Sequence, residues 1–210
     1  MRLKFKFCKL VFVLLLAPGV QAATCTYQTW DWDSVQRKAV NIRKVSKPKS
    51  ELTREELGDV PGCSVCEEDQ VELRLPQLAP FKVCKSYESK VRRAIESALN
   101  EGFPISNVVG YRVGKTKGPL SPTGQRTQFS NHSFGVAIDI NSEKNGLYDH
   151  CIQFGPHCKL IRGGDYRPGA PGSIEKSSSV YRAMKDEGLK WGGEIQGKQK
   201  DFMHFSPTGM

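Results

Sequence analysis

Apolar and polar positions change period several times along the chain, and the changes mark elements. From Ser86 onward Val91, Ile95 and Leu99 recur at every fourth position with Ala94 and Ala98 beside them, and Gly102 stands where such a run would stop. That spacing predicts an amphipathic helix. "ISNVVGYRVG" follows, rich in β-branched residues, and reads as a strand, whereas the Gly, Pro, Lys and Thr residues between Gly114 and Gln128 read as a loop. "FGVAIDIN" is the next strand, with Val136, Ile138 and Ile140 on one face and Gly135, Ala137 and Asp139 on the other. A second helix is expected from about Ser173 to Glu187, stopping at Gly188, before "LKWGG" and a short strand around "FMHFS". The mixture predicts an α+β fold, a small antiparallel sheet flanked by helices.

Both ends of the N-terminal third read differently. Arg2, Lys4, Lys6 and Lys9 precede an apolar run from Leu10 to Ala17, and Val20-Gln21-Ala22 offers the small residues of a signal-peptidase site. Residues 1–22 are therefore expected to be a signal peptide, since the run falls far short of the ~20 residues that span a bilayer. No later segment has the composition of a membrane span, so the mature chain is expected to be periplasmic or secreted. Export changes the meaning of the cysteines: without Cys8, six remain, Cys25, Cys63, Cys66, Cys84, Cys151 and Cys158, and disulfides are the expectation in an oxidising compartment. Cys151 and Cys158 would close a local loop, leaving the other four to pair in any of three ways. Cys63 and Cys66 also have the spacing of a zinc knuckle or a redox pair, but no second cysteine pair matches it. Residues 23–84 show no sustained apolar period and read as a loop-rich, disulfide-stapled N-terminal extension, with the main domain at 85–210.

Charged residues make up 25% and hydrophobic residues 38%, enough apolar material for one core, and the formal charge is +9. The charge stays positive after the signal is removed. Outside the cytoplasm a basic surface suits an anionic partner such as a cell wall; no nucleic-acid motif is present, and a monomer is expected.

The chain has four histidines, His132, His150, His157 and His204. A catalytic metal site built on two of them needs a third protein ligand and an open position for water. Asp139 is the candidate beside His132 and His204, and Asp201, three residues before His204, is free to act as a base. The odd spacing of His132 and Asp139 would place them on opposite faces of a flat strand, so the chain must bend, and Gly135 permits it. His150 and His157 lie in and beside "HCIQFGPHC", read as a structural insert on the rim of a cleft.

Ser130, His132, Gly135, Ala137 and Asp139, followed by Trp191-Gly192-Gly193 and by Asp201, His204 and Phe205, resemble the zinc peptidases that cleave bacterial cell-wall stem peptides. These are the D-Ala-D-Ala carboxypeptidases and L-alanyl-D-glutamate endopeptidases, which share a fold with the hedgehog signalling domain. The resemblance covers about Lys85 to Pro207. It implies one zinc per chain on His132, Asp139 and His204, Asp201 as general base, and Arg112 as oxyanion-stabilising cation or substrate anchor. It also implies Ser130 and Trp191 near a peptidoglycan stem-peptide substrate. Many members carry Glu at the position of Asp201, and many follow "G-Y-R" with a glutamine-containing helix, where this chain has "VGKTKGPLSPTGQRTQ". A non-catalytic, zinc-stabilised binding module of the same fold is the alternative reading.

Overall fold

The computed structural model describes residues 23–210, so the expected signal peptide lies outside the described residues. The first stretch, "TCTYQTWDWD", alternates in period two and forms strand β1 (Thr24–Asp33), with Cys25, Tyr27, Thr29 and Asp33 buried. β2 (Lys38–Pro48) runs back along it antiparallel, with one irregularity opposite Trp30. The loop-rich expectation for this region is thus corrected to a long hairpin. β2 carries no buried residue and its outer face is basic, the composition of a protected sheet edge, and that is why no apolar period announced it.

A short helix α1 (Arg54–Leu57) follows, opened by a reciprocal pair in which Thr53 and Glu56 bond each other's backbone. β3 (Gln70–Leu73) and β4 (Phe81–Cys84) then form a two-stranded ladder. Helix α2 (Glu88–Asn100) buries Val91, Ala94, Ile95 and Ala98, the stripe predicted by the four-residue spacing. β5 (Val108–Val109) is all that the "ISNVVGYRVG" strand amounts to. The expected loop at 114–128 is instead a hairpin of β6 (Lys115–Leu120) and β7 (Arg126–Phe129), turned at Gly124. β8 (Ile138–Ile140), β9 (Leu147–Asp149) and β10 (Lys159–Arg162) come next. Helix α3 is shorter than expected, Ser179–Asp186, because the Ser178 hydroxyl accepts from the Tyr181 amide and starts it there. β11 (Lys190–Trp191), β12 (Lys200–Asp201) and β13 (His204–Ser206) complete the chain.

The strands assemble as four small sheets, ordered β2-β1-β6-β7, β10-β9-β12, β11-β13-β8-β5 and β3-β4, antiparallel except where β1 meets β6. One main core joins them. Leu73, Phe81 and Val83 from the N-terminal third share it with Ile95, Ile138, Ile140, Met184 and Phe205. Three disulfides, Cys25–Cys66, Cys63–Cys84 and Cys151–Cys158, tie β1 to the turn before β3, tie that turn to β4, and close the loop between β9 and β10. Cys63 and Cys66 belong to different bridges, so the redox-pair reading fails. No helix among the described residues is long and apolar enough to cross a membrane.

Glu56 anchors α1 against the hairpin. Its carboxylate accepts from Lys47 Nζ at 2.7 Å, from the Thr53 amide at 2.8 Å and from the Tyr27 hydroxyl. Burial alone would raise its pKa, but these donors outweigh burial and hold it down at about 2. Because the folded value lies below the unfolded ~4.3, the stabilisation is complete above ~4.3 and is lost as pH falls through about 2. Glu56→Gln is expected to cost about 1–2 kcal/mol at pH 7, after allowing for solvent screening. In urea titrations that deficit should shrink at pH 3.5. An equal deficit at both values would assign the effect to shape and not to charge.

Candidate metal centre and catalytic cleft

The bend required between His132 and Asp139 is built by a 3-10 turn over Asn131–Phe134 that ends on Gly135 in the left-handed region, φ +66°. A side chain at Gly135 would collide with Gln70 and with the Cys84 backbone, so the position takes only glycine. This turn carries His132 over the start of β8, while β8 presents Asp139 directly opposite His204 of β13.

The three side chains converge. His132 Nε2 and His204 Nδ1 each lie 3.0 Å from Asp139 Oδ1 and 3.2 Å from one another, and all three residues are buried. His132 Nδ1 donates to the Gly110 carbonyl at 2.8 Å, which leaves the Nε2 lone pair facing the cluster. Burial pushes the His132 pKa down to about 4, against the pull of Asp139, so the ring is neutral at pH 7, the form that ligates a metal. Asp139 is an anion: burial opposes its ionisation, but its contacts with His132 and His204 hold its pKa well below the ordinary range. Arg112 reaches the second oxygen of Asp139 at 3.3 Å. Two imidazole nitrogens and a carboxylate oxygen, close together and buried, form a set that can hold a metal ion. A second cluster of residues, Cys25, Cys66 and Glu68, cannot do so through thiolates, because its cysteines are joined in a disulfide.

The cluster opens into a cleft of about 710 Å³, a size suited to small-molecule or peptide ligands. Asp201 lies on its wall and its Oδ1 is buried without a hydrogen-bond partner. Burial, reinforced by the Asp139 charge, raises the Asp201 pKa to about 6, against the opposing pull of His204, Arg162 and Arg112. Such a carboxyl exchanges a proton near neutral pH. Ser130 also borders the cleft with an unpartnered buried hydroxyl, and Arg112 lines it beside the metal set. His150 stands on the rim next to Cys151, whereas His157 does not line the cleft.

Trp191 is elsewhere. Its indole is buried, donates to the Phe202 carbonyl at 2.8 Å and packs edge-on against Tyr181. Trp191 does not line the cleft: it is opposite Phe205 on β13, and alternation turns both away from His204. Sequence reasoning also missed lining residues from outside the motif, namely Trp30, Trp32 and Arg37 from the N-terminal hairpin and Arg126, Lys159 and Arg162 from β7 and β10. The only available signal was the W-D-W spacing, which puts two indoles on one face of a strand.

No solved structure matches the chain significantly. A family model described as D-alanyl-D-alanine carboxypeptidase matches residues 123–207, a span that contains His132, Asp139, Asp201 and His204 and excludes the hairpin and Arg112. Over that span the chain is similar to the D-alanyl-D-alanine carboxypeptidase family of peptidases.

Proposed function

We propose that this protein is an exported zinc peptidase that hydrolyses peptide bonds in peptidoglycan stem peptides. The observation that carries the reading is the convergence of His132, Asp139 and His204 beside Asp201, whose inward oxygen has no partner, on one cleft of the family-matched segment. The chemistry of the donor set, two imidazole nitrogens and one carboxylate oxygen, suits zinc. Zinc bound there supplies Lewis acidity, which lowers the pKa of water towards ~7 and polarises a carbonyl.

The chain's own groups supply the rest. Asp201 takes the proton of the attacking water at its free Oδ1 and returns it to the leaving amine nitrogen, a task matched by a pKa near neutrality. Arg112 holds Asp139 in place and offers positive charge where the carbonyl oxygen becomes negative. The Ser130 hydroxyl is available to orient the substrate backbone. Three disulfides fit an oxidising compartment, periplasmic or extracellular.

Purified protein incubated with a panel of muropeptides, with and without chelator, tests the reading. Cleavage abolished by chelator and restored by zinc is expected, and the products identify the bond. An inert protein that keeps one tightly bound zinc would favour a binding module of the same fold.

A further inference from the structure

We propose that the N-terminal hairpin is the substrate-binding wall of the cleft, and that this wall and the lip facing it select a peptide with two or more free carboxylates. The inference rests on the peptidase reading and names its substrate class. Trp30 and Trp32 on β1 line the cleft that also contains His132, His204 and Asp201. Their rings meet edge-on at 6.5 Å and remain half-exposed.

Their position is fixed by contacts with the metal-bearing segment. β1 joins β6 where Asp31 meets Lys115, and the Trp30 ring packs so closely on Gly114 that a side chain there would meet it at 2.6 Å. Gly114 in turn donates to Ser133 Oγ at 3.1 Å, within the turn that carries His132. Asp33 closes the hairpin by accepting from the Val35 and Gln36 amides, and Gln125 of the neighbouring hairpin donates to it at 3.0 Å. The wall therefore belongs to the site, although it lies outside the matched family segment.

The charge on the cleft names the ligand. Arg37, Arg126, Lys159 and Arg162 all line it, and none of the four is ion-paired among the described residues. Other cations, such as Lys38 and Lys44, are also without an ion pair, but these four share one concavity, where they outnumber the lining carboxylates Asp149 and Asp201. Four unpaired cations around one concavity concentrate anions in it. Guanidinium groups take carboxylates in paired hydrogen bonds, and indole faces cover the apolar stretches of chain between them. A neutral dipeptide end with one carboxylate would leave most of these cations unused, whereas a stem peptide with its side-chain carboxylates free would engage them. A phosphate polymer would satisfy the charge but leave the indoles uncovered.

Calorimetric titration of the zinc-loaded Asp201→Asn chain, which binds without turning substrate over, tests this. The probes are a synthetic stem pentapeptide with free carboxylates, the same peptide with its side-chain carboxyls amidated, and polyphosphate. Amidation is expected to weaken binding about tenfold or more, the range of one charge-assisted hydrogen bond. Adding Arg126→Gln and Arg162→Gln should weaken the acidic peptide and collapse its advantage over the amidated one, a coupling that general damage to the fold does not produce. Trp32→Ala should weaken both peptides alike, and Lys44→Gln, on the outer strand of the same hairpin, neither. Equal affinity for the two peptides, undiminished discrimination in the double arginine variant, or tighter binding of polyphosphate overturns the proposal. A wild-type chain that discriminates in this way but cuts no muropeptide overturns the peptidase reading and leaves the carboxylate-selective wall standing.

Discussion

Asp201→Asn is expected to lower kcat on a muropeptide substrate by about 10²- to 10⁴-fold, the usual contribution of a general base, while zinc content and thermal stability stay close to wild type. The reason lies in what Asp201 lacks. Its Oδ1 is buried without a partner, and burial beside Asp139 raises its pKa to about 6. A carboxylate so placed contributes little to folding, since its ionised form is disfavoured there. Asparagine keeps the shape and removes both the charge and the capacity to take a proton. Asp201→Glu should recover part of the lost rate, because it restores a carboxyl that can take a proton at this position. The measurements are kcat, zinc per chain and the melting temperature of the same preparations. If Asp201→Asn loses zinc along with activity, Asp201 is a ligand and the base lies elsewhere.

The convergence of His132, Asp139 and His204, which could hold a metal, was legible in the sequence because it is carried by residue types with few other uses at that spacing. Four histidines left few choices, and the odd separation of His132 and Asp139 demanded a bend, which the turn ending on Gly135 provides. Helix α2 was legible for a different reason: its buried stripe keeps one period for three turns. The N-terminal hairpin was not. Its inward positions on β1 include Thr29 and Asp33, so burial there does not follow hydrophobicity, and β2 buries nothing. Trp191 packs behind the site, because the register with Phe205 sends its indole into the core. The disulfide pairing of Cys25, Cys63, Cys66 and Cys84 needed the fold itself, because four cysteines allow three pairings and spacing does not rank them.

His204→Ala should fail in another way, losing zinc, turnover and stability together. His204 sits in β13 directly across from Asp139 of β8, and its Nδ1 and His132 Nε2 share Asp139 Oδ1. Removing the ring takes away one of three proposed ligands and one of the groups that stabilise the buried carboxylate. His132 and Arg112 remain as partners of Asp139; losing one buried partner costs about 1–3 kcal/mol. For a chain of this size that corresponds to roughly 2–12 °C in melting temperature. Metal binding energy is also folding energy, so chelator should lower the wild-type melting point and leave His204→Ala nearly unmoved. Zinc per chain should fall well below one at a free zinc concentration that saturates Asp201→Asn. Retention of one zinc and of normal turnover by His204→Ala would place the centre away from these three side chains.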